Sequence, residues 1–370
     1  MASSNAVGTA VDQDMFPPPP STELINYTKS VFTHRQLIDF SLFLHGKKEE
    51  KETVAKGMVD AFKNAGFVYI KNHGIPQEKI DQVFAESAAF FKRPKAEKEA
   101  LAWTSARSNR GYVSHGREKT SAVQDKAFVD SLRTVNPDLK ESFEIGRDNV
   151  PEYPNNWPED PNFVAIMKAF FGTCKDLHIE IMRAIGLGLG LKDGFFDEYT
   201  NKGDNTLRLL HYPSTPKEVF VKNKGQVRAG KHTDYGTITL LFQDDRGGLQ
   251  VRSPEGTFVN ATPIPGTSDL LARWSNGRIR STEHQVVEPP VPPESDVYPA
   301  RYSCAYATRS NITWERNADM RQCRNRYFCN PNFDKFIEAI PGTYTSEADK
   351  KFPGINSWDY LEHRLAQTYL

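Results

Sequence analysis

The sequence predicts an α+β fold in which helices pack around a distorted double-stranded β-helix, a jelly roll of two facing sheets. Two observations predict it. Up to about residue 189 the apolar residues recur at helical spacing, and from about Thr206 they fall into short β-branched runs punctuated by Pro and Gly. Packed as a jelly roll, such runs turn the inward-facing residues of two sheets toward a small-molecule pocket.

Taken in order, residues 1–28, with Pro17 to Pro20, read as a flexible, proline-extended tail. The charge run 47–51 reads as a solvated loop and helix start. Val54, Met58, Ala61, Phe62 and Ala65 then set a helical stripe. Residues 67–71 predict a short strand, with His73 in the turn that follows. Residues 77–91 predict a second amphipathic helix around Ile80, Val83, Phe84, Ala88 and Phe91. The longest helical pattern covers residues 163–189, and its stripe is expected to pack on a sheet. The apolar run 236–242 predicts a strand, residues 281–287 another, and residues 354–370 a closing helix.

The chain has 370 residues, enough for one large domain or two, and its 38% hydrophobic content supports a substantial core. A formal net charge of +0 argues against nucleic acid or an anionic membrane surface as partner. Cys174, Cys304, Cys323 and Cys329 show neither paired metal spacing nor a disulfide framework, which fits a reducing compartment. No basic-then-apolar leader and no membrane-length apolar run are present in the sequence, so the expected location is cytoplasmic. The sequence sets no oligomeric state.

The chemistry concentrates in Gly230-Lys231-His232-Thr233-Asp234-Tyr235-Gly236. Residues i and i+2 of an extended chain share a side, so His232 and Asp234 can face one metal ion while Thr233 faces away. His284, on a different predicted strand, supplies a third ligand. Two imidazoles and a carboxylate suit iron(II) and leave adjacent positions open for a chelating co-substrate and dioxygen. Alone, a His-x-Asp pair is as well explained by turn hydrogen bonding; the order His232, Asp234, His284, Arg301, Ser303 favours the metal. Arg301 carries a planar fork for a carboxylate, and Ser303, two residues on, shares its strand face. That pair suits the far carboxylate of 2-oxoglutarate. Tyr212 can donate to the same carboxylate or serve as core packing. His178 and His211 lie on apolar segments and read as packed histidines.

With these residues in place the chain resembles the isopenicillin N synthase-like iron(II)/2-oxoglutarate oxygenases, from about Ile38 to the C-terminus. Its N-terminal landmarks are Ile38-Asp39-Phe40-Ser41, Gly66-Phe67-Val68-Tyr69-Ile70-Lys71-Asn72-His73-Gly74-Ile75, Phe90-Phe91, Asn109-Arg110-Gly111-Tyr112 and Glu141-Ser142-Phe143. Trp274-Ser275-Asn276-Gly277-Arg278 resembles the approach to the distal histidine. The resemblance implies a tail over residues 1–30 and a family N-terminal region over 35–150. It implies a dioxygenase jelly-roll domain over 200–310 and a closing strand and helix over 311–370. It also implies Fe(II) with 2-oxoglutarate and O2 as co-substrates, and release of succinate and CO2.

Within the family, residues 207–213, 225–244 and 337–344 are most similar to the thymine-hydroxylating branch. That similarity implies a small heterocyclic substrate, oxidised at the methyl group of thymine, with Arg208 and Tyr235 in the pocket and Phe328 as a stacking surface. Another nitrogen heterocycle, or an inactive relative, would keep every motif.

Two segments depart from the family pattern. Before Asp269 a short apolar strand is missing about five residues, and residues 307–327 interrupt what should be a core strand. The insert is rich in Arg (309, 316, 321, 324 and 326) and lacks strand alternation. Mis-spliced or mis-called exon boundaries would explain one or both. If both are genuine, a strand is expected to lose its ladder partners and Phe328 to be displaced unless the insert loops out.

Overall fold

The computed structural model describes residues 37–118, 137–223, 225–242, 247–261, 266–289, 296–298, 300–302 and 324–369, with the backbone alone at 266–267, 301–302 and 324–325. The proline-rich tail and Ser303 lie outside the described residues. No helix among the described residues is long and apolar enough to cross a membrane.

Helix α1 (Lys48–Asn64) opens where the Lys47 backbone N–H donates to Glu50 Oε2 at 2.7 Å. The charge run is therefore its first turn, placed there by a capping interaction. Val54, Ala55, Met58, Val59, Ala61 and Phe62 are buried along one side. The helix gives way at Gly66, with φ +71°, where a Cβ would also strike Thr282. That contact, with the Thr282 hydroxyl donating to the Ala65 carbonyl at 2.9 Å, pins the segment leading to His284. Helix α2 (Gln77–Lys92) buries Ile80, Val83, Ala88, Phe90 and Phe91.

Helix α3 (Pro161–Gly188) starts with Pro161 in its first turn and Asp160 accepting from the Phe163 N–H at 3.1 Å. Its expected stripe is buried and packs on α1 and on the large sheet described next. Phe170 meets Phe242 with ring centroids 5.4 Å apart, and Phe171 meets Tyr327 at 5.1 Å.

A short parallel pair, β1 (Leu37–Asp39) and β2 (Tyr69–Lys71), precedes the two main sheets. The strands of those sheets are β3 (Gly111–Val113), β4 (Glu141–Gly146), β5 (Thr206–Tyr212), β6 (Ala229–His232), β7 (Ile238–Phe242), β8 (Leu249–Arg252), β9 (Phe258–Asn260), β10 (Gly266–Thr267), β11 (His284–Val286), β12 (Arg301–Tyr302) and β13 (Arg324–Cys329). The larger sheet has the antiparallel order β10-β7-β13-β5-β4-β3, with β12 also on β5; the smaller has the order β9-β8-β11-β6. Helices α4 (Asp269–Trp274) and α5 (Ser357–Tyr369) follow β10 and close the chain. Mixed helices and sheets make the fold α+β.

Strand β4 escapes the sequence reading because Glu141, Ser142 and Glu144 look like surface residues. All six residues of β4 are buried. Glu141 is satisfied by Lys98 Nζ at 2.8 Å, His211 Nδ1 at 2.6 Å and the Tyr112 hydroxyl, while Glu144 Oε1 accepts from the Ser142 hydroxyl at 2.9 Å and forms an ion pair with Arg208 Nε at 2.7 Å.

The expected loss of a ladder strand is corrected by the structure. The last residues of the 307–327 segment enter the sheet as β13, which pairs with β5 on one side and β7 on the other. Ladder hydrogen bonds are made by the backbone, so Arg324-Asn325-Arg326-Tyr327 fills the strand despite its composition. Phe328 is not displaced; it stands opposite Thr206 and Thr239. The shortened segment before Asp269 still supplies β10, with Gly266 and Thr267 opposite Thr239 and Ile238.

Candidate metal centre

The smaller sheet sets two histidines side by side. His232 ends β6 and His284 begins β11, and they are direct partners across the ladder, with ring centroids 4.2 Å apart. Asp234 lies in the turn that leaves β6 for β7. Two features hold that turn. The Asp269 N–H at the start of α4 donates to the Asp234 carbonyl at 2.8 Å, and the Thr233 hydroxyl donates to Asp269 Oδ2 at 3.1 Å. Gly236 passes so close to Cys329 and Asn330 of the neighbouring chain segment that a Cβ would collide with them.

All three side chains are buried, and one donor atom from each lies within 4.8 Å of the others. Asp234 Oδ1 is 3.7 Å from His284 Nε2 and 4.0 Å from His232 Nε2. Adjacent ligands of an octahedral ion with bonds of about 2.1 Å sit about 3.0 Å apart, so the set needs only a small inward movement to close on one. The tautomers suit it too. His232 Nδ1 donates to the Gly230 carbonyl at 2.7 Å and His284 Nδ1 to the Thr282 carbonyl at 3.3 Å, which makes each Nε2 the unprotonated, lone-pair nitrogen of its ring. Burial, then the neighbouring His284 and Arg326, hold His232 well below the ordinary imidazole range. Burial lowers His284 as well, against an upward pull from Asp234. Neutral imidazoles are the form that binds metal.

A cavity opens beside His232 and Asp234, and its walls include Arg208, Tyr235 and Phe328. Arg208 is held on several sides. Its Nη2 donates to the Tyr369 hydroxyl at 2.7 Å, Nη1 to Glu118 at 3.2 Å, and Nε pairs with Glu144 at 2.7 Å as a charge contact without hydrogen-bond alignment. The Arg208 guanidinium also lies 5.0 Å over the Phe328 ring. Tyr235 carries Arg364 4.3 Å over its ring, and its hydroxyl bonds Thr368 at 2.6 Å. Helix α5 contributes Leu361, Leu365 and Thr368 to the cavity wall.

The residues expected for the co-substrate are less fully placed. Arg301 is the ladder partner of Tyr212, so the two occupy facing positions on β12 and β5. Tyr212 is fully buried. His178 and His211 are packed as expected: His178 Nε2 bonds the Thr237 hydroxyl at 3.2 Å, and His211 pairs with Glu141.

Sequence reasoning missed Glu118, Tyr369 and Arg326. Glu118 and Tyr369 lie 90 and 161 residues from the Arg208 they hold, beyond any local pattern. Arg326 had a local signal: it stands two residues before Phe328 and so shares its strand face. It is 4% exposed, with Nη1 3.4 Å from His232 Nε2 and 3.9 Å from Asp234 Oδ1.

A buried two-histidine, one-carboxylate face beside a cavity is the donor arrangement of the non-haem iron(II) oxygenases. The chain belongs to the 2OG-Fe(II) oxygenase superfamily, whose model matches residues 203–310; residues 36–160 match the model described as non-haem dioxygenase in morphine synthesis N-terminal. It is a 2-oxoglutarate-dependent dioxygenase that uses Fe(II), 2-oxoglutarate and O2.

Among its relatives is a 2-oxoglutarate-Fe(II) type oxidoreductase of Metarhizium rileyi, 32% identical over 90% of each chain. Another is a proline hydroxylase of Petromyces alliaceus, 32% identical over 90% of this chain and 98% of that one. The solved full-length thymine-7-hydroxylase of Neurospora crassa, in complex with α-KG and thymine, is 49% identical with a TM-score of 0.77. That match covers 89% of this chain and 96% of the Neurospora chain.

Proposed function

We propose that this chain hydroxylates the methyl group of thymine or of a closely related small heterocycle. In this reading His232, Asp234 and His284 hold the iron, Arg301, Ser303 and Tyr212 receive 2-oxoglutarate, and Arg208, Tyr235 and Phe328 form the substrate slot. The two sheets are read as the faces of a distorted double-stranded β-helix. Residues 35–150 are read as an N-terminal region, 200–310 as the catalytic domain, and 311–370 as the closing strand and helix.

The observation that carries the reading is the shared cavity, in which Arg208, Tyr235 and Phe328 border the same space as His232 and Asp234. Two further features support a planar ring with N–H groups. Tyr235 and Phe328 bring aromatic side chains to the cavity wall, the residue type that stacks on a planar ring. Glu118 Oε2 and Asn330 Oδ1, both on residues of the cavity wall, are buried without a hydrogen-bond partner among the described residues. Lactam N–H groups would satisfy such acceptors.

Bound iron supplies oxidative decarboxylation of 2-oxoglutarate to succinate and CO2, coupled to C–H hydroxylation. The protein's share is orientation and exclusion of water. Asp269 keeps the Asp234 turn in place, the Nδ1 hydrogen bonds aim both imidazoles, and α5 lines the cavity with the apolar side chains of Leu361 and Leu365. Arg208 is fixed by Glu118, Glu144 and Tyr369, so it meets a substrate as a rigid wall with its charge already balanced.

The test is aerobic turnover with Fe(II) and 2-oxoglutarate, followed by chromatography for 5-hydroxymethyluracil and by succinate release. Thymine-dependent formation of both products is expected. Succinate release driven by another heterocycle, with none from thymine, would move the chain to that substrate class.

A further inference from the structure

We propose that Arg326 occupies the cation position of the His232–Asp234–His284 centre, so that metal binds only when its guanidinium withdraws, and that residues 307–327 thereby set the metal affinity of this chain. The inference rests on those three residues being the metal ligands.

Register carries the first half of the argument. On β5, Arg301 pairs with Tyr212 and Tyr302 with His211; the next ladder position, Leu210, is filled by Arg324. Chain order alone would bring Ser303, Cys304, Ala305 and Tyr306 to the positions opposite Leu210, Leu209, Arg208 and Leu207. Those positions belong to Arg324, Asn325, Arg326 and Tyr327. Both tetrapeptides end in Tyr, the residue type that meets Phe171 here as Tyr327. The position opposite Arg208 does not receive equivalent residues: one strand brings a methyl group there, the other a guanidinium.

Geometry carries the second half. Arg326 is buried, and its Nη1 approaches His232 Nε2 at 3.4 Å and Asp234 Oδ1 at 3.9 Å. Because His232 Nδ1 donates its proton to Gly230, the Nε2 lone pair is the one a metal would use. Arg326 donates to that same lone pair. A guanidinium stays charged in a protein, so it cannot give way by losing a proton. It also places positive charge where a divalent ion would add two more. The Arg326 Nε is buried without a hydrogen-bond partner among the described residues, so no second contact on that nitrogen opposes withdrawal.

Metal affinity of the full chain tests this without reference to turnover. Mn(II) serves as probe, titrated anaerobically with free ion read by electron paramagnetic resonance, on the parent chain, Arg326→Met, a chain lacking residues 307–327, and Asp234→Ala. Arg326→Met and the deletion are each expected to lower the Mn(II) Kd at least tenfold, and Asp234→Ala to abolish binding. An unchanged or weaker Kd in Arg326→Met, with its thermal unfolding midpoint within a few degrees of the parent, overturns the proposal while leaving the ligand set intact. Should Arg326→Met fold poorly, the deletion alone decides by the same criterion. Retained binding in Asp234→Ala overturns the ligand set, and the proposal with it.

Discussion

At the scale of single residues, the candidate centre depends on short-range geometry that individual substitutions can probe. Asp234 links the two histidines, with its Oδ1 within 4.0 Å of both Nε2 atoms. Asp234→Ala is expected to eliminate Fe(II)-dependent succinate formation, measured at saturating 2-oxoglutarate across a range of iron concentrations. Arg301→Ala removes the proposed fork for the far carboxylate. Losing one partner of a buried charge pair costs about 2–5 kcal/mol, so the 2-oxoglutarate concentration for half-maximal activity should rise at least thirtyfold, and an unshifted titration would remove Arg301 from that role. Away from the centre, Glu141 gives a pH signature. Burial pushes its carboxyl up, but hydrogen bonds from His211, Lys98 and Tyr112 outweigh it and bring the pKa down to about 2. A depressed carboxyl stabilises the fold above its unfolded pKa and loses that contribution as the pH falls toward the folded value. Glu141→Gln should therefore destabilise by about 3 kcal/mol near neutrality, as removal of one partner from a buried pair does. The gap between variant and parent should shrink between pH 4.5 and 2, as read from denaturant midpoints at each pH.

At the scale of elements, α3 is the platform on which the large sheet rests. Phe170 is buried against Phe242 of β7, the strand that follows the Asp234 turn. Phe170→Ala should cost about 3–5 kcal/mol, visible as a drop in unfolding midpoint. The same elements show how far the sequence could be read. Helices α1, α2 and α3 were legible because their apolar residues keep a single period, and β7 because β-branched residues crowd it. The His232, Asp234 and His284 cluster was legible because the three residues stand in a recognisable order along the chain, although the ladder register is what sets the two histidines side by side. Strand β4 was hidden by Glu141 and Glu144, whose partners Lys98 and Arg208 come from other parts of the chain. Strand β13 was hidden for the converse reason: its backbone pairs well while its arginines suggest a solvated loop. Arg326 shares a strand face with Phe328 by sequence alone, but its approach to His232 follows from the register on β5.

At the scale of the whole molecule, the order of the large sheet differs from the order of the chain. β5 and β7 are separated by a short stretch of sequence, yet in the sheet β13 stands between them and pairs with both. Until residues 324–329 arrive, each of these strands has an edge of unpaired N–H and C=O groups, a template for pairing with another molecule. Refolding is therefore expected to be slow and prone to aggregation as concentration rises, as non-local strand insertion generally is. The insert changes this little, because the entropy of closing a loop grows only logarithmically with its length. Its length is thus nearly neutral for assembly of the sheet, and the consequential choice is which four residues complete the central strand.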